Sequence, residues 1–565
     1  MKKLVLLLSF FWLLFSGPVV AQETPNNLFG IHLASPAQED LEDAAALVNS
    51  SGGDWGYVTL VIAENDRDLQ KWQDAFDRMR ELHLIPIVRL ATSPDGTSGW
   101  RRPDPKDASQ WAKFLDRLNW PVKKRIIIFF NEPNHSAEWG GKVDPAHFAQ
   151  VVLEYAQVFK EQNNNFFLMM AGLDAAAPSQ PPNFEDEQVF LKLMDESLSE
   201  GLPGLFENLD GWTSHSYPNH GFRGGPWDTG RNSLQTYLWE LKLLKSFGVE
   251  KDLPVYITET GWPHREGITA KQSFLSAKSV SQNMSIMFSR YQDDPQIQAV
   301  TPFILNYQDD LFAHFSWRLP DHQQEFYPQY QKVQSLPKKA GRPEQEQNLK
   351  VFLKLPEKLI TSSEYKFYLP IKNEGQAIWD QEEGYYLDLV NPPEEFEYFF
   401  SPLISFEPGK RTSIKFFLKT SDQVGSYLFQ IGVAREGEII SNLWSWSLEL
   451  FPELKLKIKA SLFPGFKVPK DDFRLLVYDS SERVVWEEKN LQVQKDGWIT
   501  VQGLKNLALG ESYRLVLIKP YFLPRQTFLT IQEQGNKATF KTFWKLDYDL
   551  DGRFSWGDVR ALFNF

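Results

Sequence analysis

At 565 residues the chain exceeds a single ordinary core and calls for two to four domains, each of roughly 100 to 250 residues. Acidic side chains outnumber basic ones, 73 to 60, and a formal charge of −13 argues against nucleic acid as a partner. The sequence has no cysteine, which excludes disulfides and thiolate metal sites.

The chain opens with Met1-Lys2-Lys3, an apolar run from Leu4 to Phe15, then Gly17-Pro18 and small residues up to Ala21. Charged, apolar and small-residue regions in that order read as a secretory signal, residues 1–21, cleaved after Ala21. An uncleaved membrane anchor is the other reading, disfavoured by the short run and the helix-breaking Gly17-Pro18. A secreted, extracellular protein is expected, free or held at the cell surface.

From Leu28 onward, strand-like and helix-like patterns alternate. Strand candidates are Phe29 to Leu33, Tyr57 to Ile62, Ile85 to Leu90, Ile126 to Phe130, Phe166 to Met170, Leu209 to His215, Val255 to Thr258 and Val300 to Leu305. Between them Leu69, Trp72, Phe76, Met79 and Leu82 recur at helical spacing, as do Phe148, Val152, Tyr155 and Phe159, and Leu234, Tyr237, Leu241 and Leu244. Eight strand-plus-helix units predict an α/β chain whose residues 28–332 form a (β/α)8 TIM barrel.

The alternation stops near Val333, and the polar, Pro- and Gly-containing residues 333–347 read as a linker. Period-two runs at Tyr365 to Lys372, Thr412 to Lys419 and Ser426 to Val433 predict a β-sandwich over 348–451. A second β-rich module spans 452–544, and a loop and helix close the chain at 545–565. The sandwich resembles Ig-like domains in Asn373-Glu374-Gly375 with Trp379 following, Glu407-Pro408-Gly409, and Val424-Gly425-Ser426-Tyr427.

Two carboxylates sit at the ends of short apolar runs: Glu132 in Asn131-Glu132-Pro133-Asn134, and Glu259 in Thr258-Glu259-Thr260-Gly261-Trp262-Pro263. By strand count they end strands 4 and 7, so both face the cavity at the C-terminal end of the sheet. This pairing resembles clan A of the retaining glycoside hydrolases, with an Asn-Glu motif on strand 4 and a second Glu ending strand 7. The strand 4 motif is similar to those of cellulase-like and xylosidase-like families, the strand 7 motif to the endo-1,3-glucanase family. The resemblance implies that Glu132 is the acid/base, Glu259 the nucleophile, and Asn131 a contact for the sugar 2-hydroxyl.

Supporting positions carry alternatives. His215 and Tyr217, in Trp212-Thr213-Ser214-His215-Ser216-Tyr217-Pro218, share one side of strand 6, where the clan carries a His or Tyr contacting the nucleophile. Arg89 ends strand 3 and either orients a catalytic Glu or makes a rim salt bridge. Trp139, Trp262 and Trp227 lie in expected loops and serve as sugar platforms or as loop packing. At strand 8, where many clan members carry a Trp, the chain reads Phe303-Ile304-Leu305-Asn306-Tyr307, with Tyr307 or Trp317 as substitutes.

Near the end, Asp547-Tyr548-Asp549-Leu550-Asp551-Gly552-Arg553-Phe554-Ser555-Trp556-Gly557-Asp558 follows a calcium-loop pattern. Side-chain oxygens come from Asp547, Asp549, Asp551, Ser555 and Asp558, a backbone carbonyl from Arg553, and the sharp turn from Gly552. The loop is similar to those of dockerin modules, with a single repeat leading into a helix from Trp556 to Phe563. Structural calcium is expected, with none in catalysis, and the C-terminal modules are candidates for a cell-surface or scaffold partner. No phosphate loop, Ser-His-Asp triad or His-Glu-x-x-His zinc motif is present.

The expected protein is therefore a secreted retaining glycosidase acting by double displacement on a β-linked poly- or oligosaccharide. A non-catalytic carbohydrate-binding or surface-interaction protein on a degenerate barrel is the competing class. A transglycosylase would share the same first step.

Overall fold

The computed structural model describes residues 27–96, 99–266, 271–320, 325–463 and 469–563. The expected signal segment, 1–21, lies outside the described residues. Among the described residues no helix is long and apolar enough to cross a membrane. The chain divides into two units, the first ending at Gln345 and the second beginning at Glu346.

The first unit is mixed α/β. Its principal strands are β1 (Gly30–His32), β2 (Gly56–Ala63), β3 (Leu84–Ala91), β4 (Arg125–Phe129), β5 (Phe166–Met170), β6 (Trp212–His215), β7 (Val255–Glu259) and β8 (Ile297–Val300). Strands β1 to β5 form one parallel sheet in chain order, and β6 to β8 form a second. The edges of the two sheets have backbone partners in each other. Val300 N–H donates to the Leu28 carbonyl at 2.9 Å and His32 N–H to the Pro302 carbonyl at 3.0 Å. On the other side Asp210 N–H donates to the Leu168 carbonyl at 2.8 Å, and the Thr213 hydroxyl to that of Met170 at 2.5 Å.

Helices α1 (Gln38–Val48), α2 (Leu69–Glu81), α3 (Ala108–Asp116), α4 (Pro145–Gln162), α5 (Glu187–Ser197), α6 (Gly201–Glu207), α7 (Thr236–Ser246) and α8 (Ala277–Gln292) fill the crossovers, and α9 (Pro328–Gln334) follows β8. Their starts follow from local chemistry. Asp68 and Asp186 each accept two backbone N–H groups of the following turn, and Asp144 accepts from His147 N–H ahead of Pro145 at the first helical position.

The strands are buried on both faces, which is why they read as continuous apolar runs. Val58, Leu60, Val88, Ile127 and Phe129 pack outward with the helices, while Tyr57, Ile87, Ile128, Met169 and Tyr256 form a separate inner cluster. That inner layer supports the strand ends that carry Glu132 and Glu259.

Two expectations need correction. Strand 8 was expected from Val300 to Leu305, but the paired segment is Ile297–Val300. Pro302 has no N–H to donate, and residues beyond it bond irregularly, Phe303 N–H to Thr260 O at 3.1 Å and Leu305 N–H to His32 O at 2.9 Å. Residues 333–345 are also no free linker. Val333 and Gln334 belong to α9, and the Lys338 ammonium is buried among the Val333, Gln334 and Leu336 carbonyls and the Ser50 hydroxyl. The exposed carbonyls ending a helix are a natural seat for a cation.

In the second unit, one sheet orders Leu349–Val351, Glu364–Asn373, Arg411–Lys419 and Glu397–Phe400. The other orders Lys358–Ile360, Trp444–Phe451, Gly425–Arg435 and Tyr385–Leu389. Alternating side chains from both meet in a core containing Leu369, Trp379, Phe416 and Trp446. A distinct core around Leu456, Phe473, Leu515 and Phe543 belongs to the later strands, Leu454–Lys459 through Phe543–Trp544. A final helix covers Trp556–Phe563.

Ile128→Ala, which hollows the inner layer below Glu132, is expected to cost about 2–5 kcal/mol. A lowered chemical-denaturation midpoint for the first unit measures it.

Candidate active site

Because the strands run parallel, their C-terminal ends share one end of the first unit, and a cavity of about 450 Å³ opens there. That volume lies within the usual range for small-molecule sites, about 300–1,000 Å³. Trp100, Phe130, Phe222, Phe303, Phe312 and Phe315 supply aromatic wall. Glu132, Glu138, Asp174 and Glu259 supply four carboxyl groups.

Glu132 lies just beyond β4, where the chain must leave the strand abruptly. Phe130 (φ +70°) and Glu132 (φ +27°) both adopt left-handed backbone conformations that disfavour side-chain-bearing residues. Such strain, about 1–3 kcal/mol per residue, persists only where the surroundings enforce it. Here Glu132 N–H donates to Gly172 O at 3.2 Å and His135 N–H to Glu132 O at 2.9 Å. Fully buried Asn134 donates its side-chain amide to the carbonyls of Asp174 and Glu185.

Glu259 ends β7 and is almost fully buried. Its Oε1 accepts from Arg89 Nη1 at 2.7 Å, and its Oε2 from the Tyr217 hydroxyl at 3.2 Å. The same Arg89 nitrogen donates to Asn131 Oδ1 at 2.5 Å. His215 Nδ1 stands 2.8 Å from Glu132 Oε1 and 3.9 Å from Glu259 Oε2, so one imidazole faces both acids. Oxygens of Glu132 and Glu259 and a nitrogen of His215 lie within 4.8 Å of one another. Six residues singled out in the sequence, Arg89, Asn131, Glu132, His215, Tyr217 and Glu259, are thus brought together.

The two acids have different surroundings. Burial alone would raise the pKa of Glu259, but the charges of His215 and Arg89 outweigh it and hold the carboxyl well below the usual range. For His215 burial opposes the cation, while Glu259 and Glu132 overcome it and raise the pKa above the ordinary histidine value. Gly172 leaves room for the ring, since a Cβ there would stand 2.3 Å from His215 Cδ2.

Sequence inspection missed three features. Glu138, on the short 3₁₀ turn Ser136–Glu138, points a third carboxyl at the pair, and burial together with Glu132 and Glu259 pushes its pKa to about 7. His135 and Asp174 face each other at 2.8 Å on the cavity wall. His32, buried at the end of β1 with Nε2 4.0 Å from Glu259 Oε1, is held neutral with a pKa near 3, first by burial and then by Arg89. The Gly-Gly pair after Glu138-Trp139 marks a sharp turn beside Glu132, the one sequence signal that pointed toward Glu138.

The tryptophan platforms require correction. Trp139 is completely buried, packing edge-on to Phe130 and Phe148. Trp262 is 2% exposed and donates its indole N–H to Gly224 O at 2.8 Å, and Trp317 is 1% exposed. Large rings in loops that fold back on the sheet gain more by filling the core than by facing water. Trp227 is exposed beneath the Arg290 guanidinium, and half-buried Tyr307 packs on Phe312; neither is among the described cavity-lining residues. Phe303, Phe312 and Phe315, which follow β8 in the chain, line the cavity instead.

In the C-terminal loop the carboxylates of Asp547, Asp549 and Asp551 converge within 4.8 Å, and Gly552 takes the turn at φ +81°. The Asp558 carboxyl adjoins that of Asp549. Its oxygens accept from Tyr548 N–H at 2.8 Å and Ser555 N–H at 2.6 Å, and the Ser555 hydroxyl accepts from Gly557 N–H.

No protein-family model and no curated protein matches the chain. Among solved structures it is similar to the GH113 beta-mannanase of Alicyclobacillus acidocaldarius, at 10% identity over 55% of this chain and 96% of that one, TM-score 0.32. A GH5 xyloglucanase of Bacteroides ovatus matches at 12% identity, 53% and 67% coverage and TM-score 0.31. A GH family 44 xyloglucanase of Paenibacillus polymyxa matches at 10% identity, 80% and 83% coverage and TM-score 0.28. Superpositions this loose carry no weight for this chain's fold or chemistry.

Glu259→Gln and Glu132→Gln are each expected to lower the pKa of His215, as read by NMR titration of labelled imidazoles. Because the folded-state pKa is raised, the stabilisation from His215 is full below about pH 6.5 and is lost as pH rises through the folded value.

Proposed function

We propose that the chain is a secreted retaining glycoside hydrolase of clan A type, its first unit a (β/α)8 barrel, acting on a β-linked poly- or oligosaccharide. The observation that carries this is the unequal pair: two carboxylates with oxygens within 4.8 Å, one clamped as an anion by Arg89 and Tyr217 and the other held by the His215 imidazole. Retaining pairs stand about 5–5.5 Å apart, whereas inverting pairs leave about 6.5–9.5 Å for a water. The aromatic wall suits the apolar faces of sugar rings.

In the first step Glu259 attacks the anomeric carbon while the proton of Glu132 passes to the departing glycosidic oxygen, whose bond to that carbon breaks. Arg89 and Tyr217 hold Glu259 in position and favour its charged form. In the second step ionised Glu132 takes a proton from water, the water oxygen attacks the anomeric carbon, and Glu259 leaves as carboxylate. His215, bonded to Glu132, orients it in both steps. A sugar hydroxyl in place of water would give transglycosylation from the same intermediate.

The second unit is proposed to hold an Ig-like sandwich, an accessory β module and a dockerin-like calcium loop, spacing the enzyme from a cell-surface or scaffold partner. Three converging carboxylates repel one another, and a hard dication suits such an oxygen set. Asp547, Asp549 and Asp551 would hold calcium, which supplies charge neutralisation and order to the loop.

On a panel of β-glucans, mannans, xylans and galactans, Glu259→Gln is expected to abolish turnover of whichever substrate the wild type cleaves. Glu132→Gln should lower the rate by about 10²–10⁴-fold. NMR of the first product should show the β-anomer; an α-anomer, or turnover indifferent to Glu259→Gln, would overturn the mechanism.

Chelation of the full chain should lower the melting temperature of the C-terminal region, and added calcium should restore it. Saturation to about a hundred times Kd corresponds to about 2.7 kcal/mol. Asp549→Asn should abolish the response, whereas calcium-independent melting of the wild type would remove the metal from the proposal.

A further inference from the structure

The end of β6 is held from behind by two acids that face no solvent. Glu187, the first residue of α5, and Glu240, in the middle of α7, are both completely buried. Their carboxyl groups stand within hydrogen-bonding reach of each other. Trp212 Nε1 donates to Glu240 Oε2 at 2.7 Å, and the Ser214 hydroxyl, 2.8 Å from that of Ser216, adjoins the same carboxyl. Among the described residues, no donor meets the other Glu240 oxygen or either oxygen of Glu187.

Ionised carboxylates only accept, so two of them in contact have nothing to exchange. Buried polar atoms are rarely left without a partner, and three in one cluster call for a missing donor. Neighbouring cations do not supply it. Arg231 faces Glu187 through charge alone, because its Nη2 is bonded to Asp186 Oδ2 at 2.7 Å and its Nε to Ala175 O at 2.8 Å. His215 acts on Glu240 in the same way, with its Nδ1 engaged by Glu132, and Asp174 adds a further negative charge near Glu187. One proton between the two carboxyls removes a charge and creates the O–H donor that the cluster lacks. Burial, and then the facing acid, raises the pKa of Glu187 well above the ordinary carboxyl value. Burial also pushes Glu240 up to about 7, against the opposing pull of Trp212 and Ser214.

We propose that Glu187 and Glu240 share a single proton and form a lock that ties α5 and α7 to the outer face of β6, closed while the proton is held and loosened by alkali. The lock lies directly behind the candidate active site. Alternation along β6 puts Trp212 and Ser214 on the outer face and His215 on the cavity face. Beyond the strand the Ser216 carbonyl accepts from the Thr260 hydroxyl at 2.7 Å, next to Glu259. Because the folded-state pKa values are raised, the stabilisation is full below about pH 4.3. It is lost as pH rises through the folded value, about 7 for Glu240.

The test uses the full chain without substrate, so its outcome is independent of the glycosidase reading. A double variant, Glu187→Gln with Glu240→Gln, keeps an N–H donor and a carbonyl acceptor at each position and has no proton to share. Hydrogen exchange of the amides in 187–197 and 236–246, corrected for the intrinsic effect of pH, reads the opening of α5 and α7. Between pH 5 and pH 8 the wild-type opening constant should rise by up to about 100-fold relative to the double variant. Infrared spectra at pH 7 should show a protonated-carboxyl band that survives Glu138→Gln, which removes the other acid raised to about 7, and that is absent from the double variant. Equal pH dependence of opening in wild type and double variant overturns the proposal. Should the double variant not fold, absence of the band from Glu138→Gln at pH 7, or opening that does not change between pH 5 and pH 8, overturns it as well.

Discussion

The contact of Arg89 with Glu259 holds the site together. The guanidinium reaches from the end of β3 to the end of β7, and the same nitrogen grips Asn131 beside Glu132. One cation thus ties together three strand ends, those of β3, β4 and β7. Both partners are mostly out of water, with side chains 15% and 11% exposed. Losing one member of such a pair typically costs about 3–5 kcal/mol, because the other is left charged and buried. The contact therefore bears on the stability of the first unit as well as on the arrangement of the site.

From that clamp the asymmetry of the acids follows. Glu259 is surrounded by Arg89, Tyr217 and His215 and is kept charged, whereas Glu132 meets the imidazole alone from the strained end of β4. Neutral His32 beneath them fills space without adding a competing charge. Two carboxyl groups in one cavity are thus given different surroundings by their neighbours.

Much of this was legible in the sequence, for physical reasons. Strands buried on both faces leave continuous apolar runs, so the ends that carry Arg89, Glu132, His215 and Glu259 were visible as the points where those runs stop. Aromatic loop residues were less legible. Trp139 and Trp262 look from sequence like exposed platforms because nothing local distinguishes a loop that folds back into the core from one that stays in water. Glu138 was hidden for the opposite reason: an acid in a polar stretch reads as a solvated charge until the turn carrying it is seen gripped between Trp139 and Gly99. Strand 8 slipped because Pro302, inside an apolar run, interrupts the backbone pairing that the run implied.

The Lys338 strap bears on how the protein can be taken apart. The ammonium sits in a nest of carbonyls, and burial lowers its pKa to about 8. Downstream of it, Gly341 N–H still bonds Asp54 O, and the Gln345 amide still bonds Pro121 O. A truncation at residue 332, where the alternating pattern ends, would strip these bonds and cut into α9. The natural cut for the first unit falls after Gln345, so domain-swapping or crystallisation work should carry the whole strap with it.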